Sequence, residues 1–502
     1  MLHILKSIGQ QLMGGNRVLT GTRKRGVAGL VALVGVFALA AAACSSDSDE
    51  SGESKPASTE SASSETASSE PASSEPASSD PGSTEGTTLE PVDTDPAPTG
   101  PVPASGQGID DERVLIGVSI DKSGPFGPVS AELEAALTAR FEVANAEGGA
   151  NGRQIETIIL DDKADPTQAL ENFRQLWERD KVFAIYTLGT NAPLEYIQAN
   201  DIPTFAFAGP IESFSSAYPT ILPLGSLTPA WTAQTAFSVV EYGGLAPKTV
   251  AVLYDPINEP LNDFVEDYWM QLGAEEVIFD PPPADCSALV LKYQEAEVDY
   301  WEWQSIAFLG CLAAEDTIGW QPSMGQGGPI ASQIAIARLV PDQMIGVVAG
   351  SPNRLADGRP TFDEPTEAHQ AYLDGMEEFA PKIFADEAAL NGTIPMLIWV
   401  GGSFIIDAIE GAAVDSGEIS QESALDWAWN IEDWDTGIAG VIHSAAPDCK
   451  TGNDATIWGN WIENPDPDGD LILEPYTPDL IDNEWLGVDP CYLTQFADEL
   501  TG

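Results

Sequence analysis

From Arg113 onward the chain alternates short apolar runs with amphipathic stretches, and this alternation constrains the fold more than any other feature. Val114–Ile120 (VLIGVSI) is a continuous apolar strand, followed by the loop Ser123-Gly124-Pro125-Phe126-Gly127-Pro128. Leu133, Leu137, Phe141 and Ala144 then recur at helical spacing. Gly148-Gly149-Ala150-Asn151-Gly152 interrupts that helix, and Ile155–Leu160 reads as the next strand. Asp165-Pro166 opens a second helix, Asp as N-cap and Pro at the first helical position, with Leu170, Phe173, Leu176 and Trp177 as its buried face. Val182–Tyr186 and Thr204–Ala208 are further short strands. Strands this apolar need cover on both faces, so the order predicts an α/β fold with a doubly wound parallel sheet. A second series predicts strand Thr249–Tyr254, helix Phe264–Leu272, strand Glu276–Phe279, helix Ser287–Glu295, and strands Ile306–Leu309 and Pro329–Ile334. Helical stretches follow around Glu367–Phe379 and Met396–Ala413, and Thr456–Ile462 with Leu471–Glu474 predicts a hairpin. Two series of similar size predict two lobes rather than one large sheet.

The first 107 residues are a different material. Residues 1–43 hold five basic residues and no acid, and end in the apolar stretch Gly26–Ala43, the pattern of a secretory signal. Ala41-Ala42-Ala43-Cys44 resembles a bacterial lipobox, which implies a lipidated Cys44 as the mature N-terminus and an anchor in the membrane. Ala41 stands where that motif has Leu or another aliphatic, and ordinary cleavage after Ala43 is the competing reading. Residues 44–107 join that Cys to a Ser/Pro/Glu-rich stretch with a repeated A-S-S-[ED]-P unit and almost no apolar bulk. Such a segment cannot bury enough surface to offset chain entropy and is expected to be a disordered tether, reaching roughly 45 Å as a flexible coil. A glycosylated Ser/Thr stalk fits the same composition.

The chain of 502 residues carries 79 acids against 21 Lys and Arg, a formal charge of −58. That charge repels phosphate backbones and excludes a basic nucleic-acid footprint. Without the signal the excess is larger, because the signal holds only basic residues; such a surface repels itself at low ionic strength and is calmed by salt. His369 and His443 are the only histidines besides His3, which excludes a three-His metal site. Asn464-Pro465-Asp466-Pro467-Asp468-Gly469-Asp470 has the start of a calcium loop but Pro475 at its twelfth position, so it reads as a turn; no metal and no cofactor is expected. Beyond the N-terminus we read no apolar run near 20 residues, so no second membrane span is expected. Five cysteines are an odd number for an exported chain. Lipidation of Cys44 leaves four, which pair most simply as neighbours, Cys286–Cys311 and Cys449–Cys491, one of three connectivities. There is no G-x-S-x-G, P-loop or usable Ser/His/Asp set, and no catalytic residue or enzymatic activity is assigned.

Three blocks carry a family likeness: VLIGVSIDKSGPFG (114–127), ANAEGGANGRQIETIILDDKADPTQAL (144–170) and DIPTFAFAG (201–209). They resemble, in order, the leucine/isoleucine/valine-binding-protein type of solute-binding protein of ABC importers. The second half matches more loosely, at Tyr254-Asp255, Gly273-Ala274 and Asp285-Cys286-Ser287-Ala288. The resemblance implies a type I periplasmic binding protein: two doubly wound lobes joined by three crossing segments, closing on a ligand between them. It places lobe 1 at 112–233 plus 352–441 and lobe 2 at 234–351 plus 442–502. The implied partners are a small-molecule solute, a branched-chain or other amino acid or related polar molecule, and ABC permease subunits at the outer face of the cytoplasmic membrane. A ligand-sensing receptor subunit of the same fold is the alternative, as are amide, urea-like or small carboxylate ligands.

Ligand residues are expected on the loops at strand carboxyl ends. Ser123 and Phe126 follow the first strand, where a purely structural turn is an equal reading. Thr190 and Asn191 match positions that in the family serve a carboxylate. Ala208 and Gly209 offer backbone N–H groups, although Pro210 stands near a place usually held by Ser or Thr. From the second lobe the candidates are Glu259, which as a solvated surface acid has a simpler explanation, and Ser332. Trp301, Trp303 and Trp320 could stack on a ligand or belong to the core.

Overall fold

β1 (Arg113–Ile120) lies between β2 (Gln154–Asp161) and β3 (Ala184–Thr187), and β4 (Thr204–Ala206) and β5 (Ile221–Pro223) extend the sheet beyond β3. All five are parallel, in the order β2-β1-β3-β4-β5. The computed structural model describes residues 102–501 apart from 124–126, 189–190, 208–209, 226–227, 255, 305–307, 327–340, 352–354, 357–358, 361–365, 387–389, 391–392, 432–433, 436, 439–441, 444, 451, 453–455, 466–470, 478–480, 482–485, 488 and 490. Phe126, Thr190, Ala208, Gly209 and Ser332, the strand expected at 329–334, and most of the 464–470 turn therefore lie outside the described residues.

Both faces of the first sheet are covered, as the apolar strands require. On one face Val114, Ile116, Val118, Tyr186 and Phe205 pack against helices Gly127–Glu147, Glu367–Phe379, Thr393–Ser416 and Gln421–Ala428. On the other, Phe173, Leu176, Val182 and Ile197 form a second core. Gly117 lets that layer close on β1, since a Cβ there would sit 3.1 Å from the Leu176 and Val182 methyls. Helix Pro166–Arg174 begins as its sequence indicates: Asp165 Oδ1 accepts from the Gln168 N–H at 2.8 Å and Pro166 takes the first helical position.

The second sheet repeats the plan. β6 (Thr249–Leu253) lies between β7 (Glu276–Asp280) and β8 (Tyr300–Trp303), followed by β9 (Ser323–Gln326) and β10 (Val348–Ser351), giving the parallel order β7-β6-β8-β9-β10. β11 (Ile457–Ile462) and β12 (Ile472–Pro475) add an antiparallel pair beyond β10, the hairpin strands anticipated from sequence. The strand expected at 306–309 is corrected: the chain pairs six residues earlier, at Tyr300–Trp303, and Phe308 already begins a helix running to Ile318. A carboxylate inside the strand hides it in the sequence, yet Glu302 is fully buried. Trp301 and Trp303 are core residues, not ligand stackers. Trp303 stacks on Phe308 at 3.7 Å, Trp301 meets Tyr293 edge-on at 5.5 Å, and Trp320 packs on the same cluster.

Helix Thr393–Ser416 also revises an expectation. Its segment Ile394–Ser416 is long and apolar enough to cross a membrane, but 72% of its most apolar window is buried inside the protein. It is the central core helix of the first lobe, packed along helix Gly127–Glu147.

Disulfides join Cys286 to Cys311 and Cys449 to Cys491. The second secures helix Tyr492–Thr501, which touches both lobes. Its Leu493 and Ala497 share an apolar cluster with Ile211 and Phe214 of the first lobe and Leu261 of the second. Tyr492 stacks on Phe264 at 4.6 Å, and Asp498 accepts from the Ser215 hydroxyl and the Ser216 N–H, both at 2.7 Å. Beside it, the buried Lys450 donates to the carbonyls of Ser213 (3.1 Å) and Tyr218 (2.7 Å), and burial pulls its amine down to about 7 against the field of Asp498.

At the amino ends of β1–β3 the segment 102–107 is fastened to the first lobe. The fully buried Arg153 guanidinium donates to the carbonyls of Val102 (2.8 Å) and Asp110 (2.6 Å), and the Asn151 amide oxygen accepts from the Val102 N–H. The Ser105 N–H donates to the Ile419 carbonyl and the Ile419 N–H to the Pro103 carbonyl, either side of Ala104, and Gln107 donates to the Val182 carbonyl.

His369 is buried in the first turn of helix Glu367–Phe379, stacked on Tyr372, with no partner for Nδ1 among the described residues. Burial pulls its pKa from 6.5 to about 4. Above pH 6.5 the imidazole is neutral in both folded and unfolded chains. Between pH 6.5 and 4 only the unfolded chain takes up the proton, so stability falls with acidification, by about 3 kcal/mol in all. We expect His369→Phe to flatten that acid limb in urea titrations from pH 7 to pH 4; a parallel loss in both proteins would refute the assignment.

Candidate functional site

In a sheet of this order the crossovers leave β1 toward one face and β3 toward the other, and a crevice opens outside the carboxyl ends of those strands. The protein has two such switch points, β1/β3 and β6/β8. Of the described residues singled out in the sequence, Ser123 and Asn191 follow β1 and β3, and Glu259 follows β6.

After β1, the exposed Ser123 donates its hydroxyl to Asp161 Oδ2 at 2.6 Å, tying the β1 loop to the end of β2. Asp161 also accepts from the amides of Lys122 (2.9 Å) and Lys163 (3.0 Å). Burial opposes its ionisation, but these donors outweigh burial and hold the carboxyl below its ordinary value. Behind it Asp162 is buried, accepts from Ser119, and is shifted upward by burial despite that bond. Ser123 is thus engaged in holding the turn. Asn191, half-buried, stands at the turn that follows β3. Glu259 is exposed on the short helix Pro256–Leu261 after β6.

Two features escaped the sequence reading. Gln304 directly follows β8, on the strand face shared with Tyr300 and Glu302; it is only 5% exposed, and among the described residues neither atom of its amide has a hydrogen-bond partner. A buried, unpaired amide at a switch point is a group held ready for something else, because native proteins rarely leave such atoms unsatisfied. Its signal in the sequence was a second polar residue, two after Glu302, at the end of the aromatic strand. The second feature is a small apolar pocket at the carboxyl edge of the first sheet. Phe207 and Leu224, the residues just past β4 and β5, form its floor; Leu397, Val400, Gly401 and Phe404 of helix Thr393–Ser416 and the ring of Trp434 close it. Trp434 stands edge-on to Phe404 at 4.8 Å and donates its N–H to Asp407 at 2.9 Å. Only the fold brings these three distant segments together. Among the described residues no cluster of His, Cys, Asp or Glu is placed to hold a metal.

A family model described as periplasmic binding protein matches residues 113–451. The Leu/Ile/Val-binding protein homolog 1 of Brucella abortus is 24% identical over 213 residues, 38% of this chain and 53% of its own length. The chain therefore spans about half the length of the curated relatives it matches. Among solved structures, a solute-binding protein of an ABC transporter from R. palustris in complex with 4-hydroxybenzoate superposes with a TM-score of 0.60 at 16% identity, covering 75% of this chain and 99% of that one. A branched-chain amino acid ABC transporter protein from Thermus thermophilus with bound valine gives 0.59 at 18%, covering 75% and 98%. The two doubly wound sheets and the match over most of the folded chain lead to one conclusion: the chain belongs to the periplasmic binding protein family, a family of binding proteins and not of enzymes, and has its type I fold.

Proposed function

We propose that the protein is the extracytoplasmic solute-binding lipoprotein of an ABC importer, and that it captures a small amino acid or related carboxylate by closure of two lobes. The observation that supports this reading is the pair of switch points, β1/β3 and β6/β8, in two sheets whose five parallel strands follow the same order. The valine and 4-hydroxybenzoate held by the two structural relatives support a ligand with one anionic group and an apolar body. In this reading lobe 1 is 112–233 with 352–441 and lobe 2 is 234–351 with 442–502. Thr190, Asn191 and the N–H groups of Ala208 and Gly209 receive the carboxylate. Ser123 and Phe126 border it, and Glu259, Ser332 and the Gln304 amide approach from the second lobe. Cys44 carries the lipid, residues 45–107 give reach, and permease subunits receive the solute.

A ligand that binds only the folded state raises its stability by about 2.7 kcal/mol at a hundredfold excess over Kd. We therefore expect a saturable rise in Tm with at least one member of a panel of amino acids, aromatic acids, short fatty acids, amides and urea. A flat response across the whole panel would overturn the reading.

A further inference from the structure

We infer that Lys450 is a pH-responsive pin between the two halves of the protein, and that protonation of its buried amine loosens the turn 211–218 from the C-terminal helix. The pin itself stands on packing; its bearing on the solute rests on the solute-binding reading above.

Three observations lead there. The first is position. Lys450 lies on the short strand Cys449–Lys450, where its N–H donates to the Thr494 hydroxyl at 2.7 Å and Cys449 is bridged to Cys491. Its side chain reaches the turn between β4 and β5 of the first sheet, and Nζ donates to the Ser213 and Tyr218 carbonyls, one near each end of that turn. Helix Tyr492–Thr501 meets the same turn through Asp498, and the layer beside the second sheet through Tyr492 on Phe264.

The second is isolation. Lys450 is 1% exposed, and among the described residues no carboxylate comes within ion-pair distance of its amine. Its remaining neighbour is the ring of Trp429, 5.5 Å away, whose own N–H holds the Pro219 carbonyl. Two carbonyls and a ring do not replace the hydration of an ammonium, so the charged form is costly in this site.

The third is electrostatic. The ionisable groups on the elements packed around the amine are Glu212 and Tyr218 on the turn, Tyr492, Asp498 and Glu499 on the helix, Asp426 one turn before Trp429, and the adjacent Asp448. Of these Asp498 alone acts on it, favouring the charged form, and burial outweighs that field. An opened clasp returns the amine to water, where it keeps its proton up to about pH 10.5, whereas the closed clasp keeps it only below about pH 7. Between those values opening takes up a proton, so the open state gains as pH falls. The opening equilibrium therefore rises about tenfold from pH 8 to pH 6. The turn starts two residues after Gly209, whose N–H is proposed above to meet the solute, so acid loosens that loop at its root.

Hydrogen exchange on the full chain without ligand, corrected for the intrinsic pH dependence of exchange, reads this opening. We expect protection at 211–218 and 492–501 to fall about tenfold from pH 8 to pH 6, and Lys450→Met to abolish the change. Asp498→Asn keeps an acceptor oxygen for Ser215 and Ser216 but removes the charge that favours the ammonium, so its loss over the same interval should exceed that of wild type. Protection that ignores pH in wild type, or that changes equally in Lys450→Met, would overturn the inference. Should Lys450→Met not fold, a loss in Asp498→Asn no larger than in wild type overturns it. None of these measurements uses a ligand, so the pin can fail while the solute-binding reading stands, and a flat ligand panel leaves the pin standing.

Discussion

Replacing Glu315 by methionine should stabilise the protein by about 4 kcal/mol at pH 8 but by only about 1 kcal/mol at pH 5. Glu315 lies on helix Phe308–Ile318, fully buried, and among the described residues neither carboxyl oxygen has a hydrogen-bond partner. Burial, helped by the neighbouring charge of Asp316, pushes its pKa from 4.5 up to about 8. Below pH 4.5 the carboxyl is protonated whether or not the chain is folded, and costs nothing electrostatic. Between pH 4.5 and 8 the unfolded chain releases the proton while the folded chain keeps it, so stability falls as pH rises, at about 1.4 kcal/mol per unit. Methionine is close in volume and suits its apolar neighbours, and it removes the titration entirely. Urea unfolding of both proteins at pH 5 and pH 8 checks this. A difference that does not change with pH would mean that Glu315 finds a partner or a solvent path in solution.

Removing the Cys449–Cys491 bridge should have an effect of similar size and a wider reach. Its separation of 42 residues corresponds to about 4 kcal/mol on the chain-entropy model. The bridge joins Lys450, whose amine bonds two carbonyls of the first lobe, to the helix whose Asp498 bonds Ser215 and Ser216. Freed from it, the helix keeps a five-residue apolar cluster, the ring pair Phe264–Tyr492 and the Asp498 bonds to Ser215 and Ser216, against the entropy of ordering ten residues. We expect the Cys449→Ser, Cys491→Ser double variant to unfold at lower urea and to exchange its amides fastest at 211–218 and 492–501. Wild-type stability together with unchanged exchange at those residues would show that the helix is held by its contacts alone.

How far the sequence predicts this fold depends on whether a signal is local. The first lobe was legible because its punctuation is local: an Asp-Pro helix start, a glycine-rich break, and strands whose interior charge, Glu156, is exposed as periodicity expects. The second lobe was less so, because β8 contains Glu302 and its register depends on a buried carboxylate that periodicity counts as exposed. Helix Thr393–Ser416 shows the complementary difficulty, since its composition suits a bilayer as well as a protein core and only its neighbours decide. At the candidate site, the loops at strand ends follow from topology and could be named beforehand. The pocket could not, because Phe207, Leu224, Gly401 and Trp434 are joined by no motif.

The clamp around Arg153 lies at the amino ends of β1–β3, whereas the solute loops lie at their carboxyl ends. The tether proposed above would join the first lobe at this end. Tension along it would enter through a buried guanidinium and the amino end of a parallel sheet. The loops proposed to hold the solute lie at the opposite ends of the same strands, so load and capture would be mechanically separate.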